Sequence, residues 1–97
     1  MLDRRLFAYR SDLAEAGLEG KVQTARFVTG EGARVAEPVA ALRPRPETAC
    51  GIDTELLLGE TVSVFERRDG WAWVKAEADG YVGYLPETAL DATVTPA

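Results

Sequence analysis

Thr61-Val62-Ser63-Val64-Phe65-Glu66-Arg67 runs into Asp69-Gly70, then Trp71-Ala72-Trp73-Val74-Lys75-Ala76 and, past Asp79-Gly80, Tyr81-Val82-Gly83-Tyr84-Leu85. Apolar residues recur with a period of two in these segments, as in strands that bury one face. Asp-Gly between such segments predicts tight hairpins, because a type I′ turn needs positive φ at both central residues. Two of these turns in succession read as a three-stranded meander.

Alternation also assigns sides. Ala72, Val74 and Ala76 share one face of their strand, and Trp71 and Trp73 share the other. Small residues suit a tight interior, which leaves the two indoles on an outer face beside Val82 and Tyr84. Trp71, Trp73 and Tyr84 are then either a platform for a ligand or partner domain, or a second small core roofed by the amino-terminal arm. Alternation alone fits both.

Working outward, Pro86 ends the last strand and Glu87-Thr88-Ala89 predicts one 3₁₀ turn before Leu90. Upstream, Leu56-Leu57-Leu58 is a short apolar run closed by Gly59. Val35, Val39 and Ala41 alternate, with Pro38 marking an edge or bulge. Arg43-Pro44-Arg45-Pro46 opens a stiff loop that reaches Asp53; with only two prolines it is a poor ligand for a proline-binding groove. Arg67-Arg68 reads as a solvated hairpin shoulder. Short strands packed this densely must close on themselves to bury enough surface. The fold expected is mainly β, a small five-stranded barrel over 33–91.

Residues 1–32 form an arm expected to pack on that barrel. Asp12-Leu13-Ala14-Glu15 has the spacing of a capping box, which predicts a short helix soon interrupted by Gly17 and Gly20. Val22 to Val28 fits a helical turn and a strand equally. Residues 92–97 read as the start of a linker.

The chain has 97 residues, 16 acids against 11 bases and a net charge of −5. That sign disfavours nucleic acid and anionic membranes, which reward basic surface. Met1 to Phe7 lacks a signal peptide's apolar core, so a cytoplasmic location is expected. The one cysteine, Cys50, cannot form an internal disulfide and reads as an inert free thiol. Histidine is absent, so this chain alone supplies no Ser–His or Cys–His pair and almost no zinc ligands. No catalytic residue, metal or cofactor is expected.

Leu58-Gly59-Glu60 through Leu90, with Gly70-Trp71, Gly80 and Gly83-Tyr84-Leu85-Pro86, resembles a bacterial SH3 domain. Gly83 to Leu90 is also similar to the closing segment of eukaryotic SH3 domains. Ala89 stands where those carry an aromatic, and Ala40-Ala41-Leu42-Arg43 lacks their acidic-aromatic motif. A polyproline groove would lose half its ridges. Pro38 to Arg43 and Asp53-Thr54-Glu55-Leu56-Leu57-Leu58-Gly59-Glu60 are similar to the amino-terminal SH3 module of NlpC-type cysteine peptidases. Leu2-Asp3-Arg4-Arg5 and Ala25-Arg26-Phe27-Val28 extend the likeness into the arm.

The resemblance implies a non-catalytic specificity module of an enzyme that recycles murein peptides by cutting after γ-D-glutamate. Its catalytic cysteine and histidines would belong to a carboxy-terminal domain outside these residues, and that domain and the murein peptide would be the partners. Matched by position, Asp53 and Tyr81 would recognise the peptide's free amine, both being able to accept from an ammonium. Without the resemblance, Asp53 is a turn-forming acid and Tyr81 a strand aromatic. The rival reading is a free-standing SH3-like scaffold that binds peptides or wall fragments through the aromatic face.

Overall fold

The structure is a computed structural model that describes residues 6, 8–10, 12–20 and 23–91. Leu2 to Arg5, the Val22 start of the ambiguous segment and the linker expected over 92–97 lie outside the described residues. Among the described residues eight strands form: β1 (Ala14–Glu15), β2 (Phe27–Val28), β3 (Glu31–Arg34), β4 (Val39–Leu42), β5 (Thr54–Leu57), β6 (Thr61–Arg68), β7 (Trp71–Ala76) and β8 (Val82–Pro86).

The expected meander is present as β6, β7 and β8, and β3 extends it into an antiparallel sheet of order β3-β6-β7-β8. The first Asp-Gly turn is the tight one, with φ of 52° at Asp69 and 83° at Gly70. The second is not. Only Gly80 has positive φ there, and it closes a longer loop in which its N–H donates to Ala76 O at 2.9 Å. Pro86 ends β8, and Glu87–Ala89 makes the 3₁₀ turn.

The five-stranded barrel is corrected. Among the described residues the strands form separate sheets that do not close. β4 and β5 pair only with each other, as a hairpin laid against the main sheet. The join is local: Arg43 N–H donates to Tyr84 O at 2.8 Å, and Tyr84 N–H to Arg43 O at 2.7 Å. Gly83 makes that approach possible, since a Cβ there would lie 2.8 Å from both Arg43 O and Leu42 Cγ. The general SH3-like β fold stands without closure.

The core lies between hairpin and sheet. Ala72, Val74 and Ala76 point into it as alternation required, with Val62, Leu56 and Leu85. The expected face of β4 is reversed. Ala40 and Leu42 are buried, whereas Val39 is 52% exposed. Val39 pairs with Leu57, and Ala40 with Leu56, so only Leu56 of the leucine run enters the core. A one-residue phase error moves a whole strand face, and Val39-Ala40-Ala41-Leu42, apolar or small on both faces, carries no phase of its own.

The arm contains no α-helix among its described residues. Asp12 does not cap one, because its carboxylate takes two N–H groups of Arg10 instead. Ala14–Glu15 is a strand, followed by a 3₁₀ turn over Ala16–Leu18. The ambiguous Val22–Val28 segment contributes Phe27–Val28, which runs parallel to β1. Ala8 and Leu13 pack on Trp73 and Val82, so the arm roofs the outer face.

Candidate functional site

β6 builds the outer face by breaking its own alternation. Val64 faces Val74, yet the next paired residue, Glu66, faces Trp73, so one extra residue sits between them as a bulge. Were the same residues paired one to one, Glu66 would face Ala72 and turn inward with Val62 and Val64. The bulge sends both Phe65 and Glu66 outward and places Arg68 opposite Trp71. Two charged side chains thereby stand beside two indoles.

Trp73 is 4% exposed and lies at the centre of an aromatic row. Phe65 meets it edge-on, with centroids 5.7 Å apart, and Tyr84 stacks on it at 6.2 Å. Arg10 closes the row from above, its guanidinium carbon 4.6 Å from the Trp73 ring centre. Arg10 Nη1 donates to Glu66 Oε1 at 2.6 Å and Nη2 to Oε2 at 3.0 Å. Nε and Nη2 donate to the two oxygens of Asp12 at 2.9 and 2.8 Å, and Nη1 reaches Tyr84 Oη at 3.1 Å.

The electrostatics follow from these bonds. The hydrogen bond from Arg10 holds the Glu66 carboxyl below its ordinary value, against partial burial, which pushes it up. Asp12 is lowered by the same donor. Arg10 is raised in return, chiefly by Glu66, and stays charged at every accessible pH.

Beside this cluster a cleft of about 370 Å³ opens to solvent, lined by Arg10, Asp12, Pro46, Glu66, Arg68, Asp69, Trp71, Trp73 and Tyr84. Four chain regions build it: the arm, the loop after β4, the β6–β7 hairpin and β8. Trp71, Trp73 and Tyr84, grouped from the sequence, thus share one wall. Trp73 is covered by the arm, whereas Trp71 is only half-buried. The sequence marks Asp12 only as a helix cap and Pro46 only as part of a stiff loop, and it marks neither Arg10 nor Glu66 as a site residue. Arg10 leaves no periodic signal in an irregular arm, and Glu66 reads as inward-facing until the bulge is known. Arg68 is exposed, like the hairpin shoulder expected of it, but it also lines the cleft.

Asp53 and Tyr81 do not line this cleft. Asp53 precedes β5, its N–H donating to Leu42 O at 2.8 Å. Tyr81 precedes β8, its ring packed on the main core and its N–H donating to Asp79 Oδ1 at 3.2 Å. They stand at the starts of the two strands that flank the end of β4. Cys50 is buried and unbridged, with Sγ 3.3 Å from Glu47 O. Arg43 ties that loop together, Nη1 donating to Cys50 O at 2.8 Å. Among the described residues no group of three or more His, Cys, Asp or Glu is placed to hold a metal. None of their helices is long and apolar enough to cross a membrane.

A sheet and hairpin locked through Gly83, with a conspicuous Trp after the β6–β7 turn and a 3₁₀ turn after the last strand, define an SH3-like domain. The chain belongs to the family described as the bacterial dipeptidyl-peptidase Sh3 domain, which it matches over residues 42–90. No curated protein and no solved structure matches it.

Proposed function

We propose that this chain is the non-catalytic specificity module of a cytoplasmic, NlpC-type cysteine peptidase acting on murein peptides. The observation that carries the reading is membership of a dipeptidyl-peptidase SH3 family by a chain that holds no histidine. An enzyme that releases dipeptides must measure from the free amine of its substrate. A carboxylate and a phenol walling one end of the catalytic domain's substrate cleft, a site separate from the aromatic cleft described above, supply that reference point, and they exclude polymer whose amine is blocked. Asp53 and Tyr81, at the starts of strands flanking the end of β4, are the residues assigned to it. The catalytic cysteine and histidine belong to the partner domain.

The test replaces Asp53 with Asn in the peptidase that carries or recruits this module. kcat/KM is then compared for a free and an amino-acetylated murein peptide. The preference for the free amine is expected to fall about tenfold, the scale of one charge-assisted hydrogen bond. An unchanged preference overturns the amine-recognition role.

A further inference from the structure

Arg10 shows what the aromatic row can hold. In the cleft wall the chain's own cation lies over Trp73, between the carboxylates of Glu66 and Asp12. The rest of the lining repeats the elements: the Trp71 indole, the Pro46 ring and the Asp12 carboxylate, whose side chain is 60% exposed. It stays open to solvent.

The donors and acceptors left over define the ligand. A guanidinium has five N–H groups. Arg10 gives one from Nε to Asp12, two from Nη2 to Asp12 and Glu66, and two from Nη1 to Glu66 and Tyr84. None is left for an anion. Each oxygen of Asp12 and Glu66 takes one such bond, which leaves acceptor capacity on both carboxylates. Arg68 and Asp69 form a loose pair at 3.7 Å and offset one another. The remaining charge in the cleft is two carboxylates against Arg10, a surplus of one negative charge. Tyr84 accepts from Arg10, so its own proton is available to a carbonyl.

We propose that the cleft binds a peptide by a cationic side chain on an aliphatic stem, of the lysine type. The stem lies across Trp71 and Pro46, the cationic head meets Asp12 and Glu66, and Tyr84 donates to the peptide carbonyl. This goes beyond the function proposed above and uses neither Asp53 nor Tyr81, so the two readings fail separately.

The test titrates the whole chain with acetyl-Ala-Lys-Ala-amide, its norleucine counterpart and its glutamate counterpart. The indole N–H signals are followed by NMR. Blocked ends remove the free amine on which the Asp53–Tyr81 reading depends. The lysine peptide is expected to move the Trp71 signal and to bind about five- to tenfold more tightly than the norleucine peptide. That preference shrinks in about 0.5 M salt, as an ion-dependent contact must. Trp71→Leu removes the response, while Tyr81→Phe retains it. Equal binding of lysine and norleucine peptides, tighter binding of the glutamate peptide, or no binding of any overturns the proposal. The salt comparison needs no variant, so it decides the matter even if Trp71→Leu fails to fold.

Discussion

Arg10 and Glu66 stand 56 positions apart in the chain and meet as a two-toothed ion pair, at 2.6 and 3.0 Å, over the indole of Trp73. Their side chains are only 22% and 21% exposed. The pair is therefore less screened by solvent than a surface bridge, and it pins the arm to the main sheet. A second tie, Lys75 Nζ to Glu15 Oε1 at 3.5 Å, is longer and weaker.

The pair makes stability depend on pH in a fixed direction. Folding lowers the Glu66 and Asp12 carboxyls, so the folded state favours their ionised forms. Their contribution is complete above the ordinary carboxylate range and is lost as pH falls through that range to the lowered values. Urea midpoints measured from pH 7 down to about 3 should fall more steeply for the parent than for Glu66→Gln. At pH 7 that substitution should cost about 1–3 kcal/mol, because it leaves Arg10 partly buried and short of its charge partner.

The two tryptophans should part company on substitution. Trp73→Ala removes the centre of the outer core and should cost about 3–5 kcal/mol. Trp71→Ala, on the open wall of the cleft, should cost less than half as much. Thermal melts of the two variants, read at one pH, check the ordering. Equal losses would mean that the arm depends on both rings.

Gly83→Ala should be costly for a reason unrelated to strand propensity. The added methyl would sit 2.8 Å from the Arg43 carbonyl oxygen, a backbone atom that moves only if the β4–β8 junction opens. A loss of about 1–3 kcal/mol is expected. Hydrogen exchange should locate it, with faster exchange at the Arg43 and Tyr84 amides.

β5 offers a test of phase. Leu56→Ala should cost about 2–5 kcal/mol, because Leu56 is fully buried. Leu57→Ala, at a residue 57% exposed, should change stability by less than about 0.5 kcal/mol. Denaturant midpoints of the two single variants suffice.

What the sequence disclosed tracks where local chemistry decides structure. Asp69-Gly70 set its own turn, Pro86 stopped its own strand, and the small–large alternation from Trp71 to Ala76 fixed which face lies inside. The failures lie where distant contacts decide. Asp12 matched a helix cap, but Arg10 claimed both its carboxylate oxygens. β4 carried apolar or small residues on both faces, so its own alternation held no phase, and pairing with β5 set it. The aromatic wall of the cleft was legible because Trp71, Trp73 and Tyr84 follow the strand period. Its charged members were not, because a bulge and an irregular arm carry them.

The extra residue in β6 acts as a parity switch. Val62 and Val64 obey one count and Glu66 and Arg68 the opposite one, so core and cleft are written in different phases of a single strand. The same sequence paired regularly, with no residue left over, would turn Glu66 and Arg68 away from the indoles while leaving the pairing of Val62 and Val64 intact. Deleting Phe65 would straighten the strand with Glu66 still opposite Trp73, so the outer-face chemistry is set by the number of residues between Val64 and Arg68, and homologues of this domain are better compared by their count through β6 than by percentage identity.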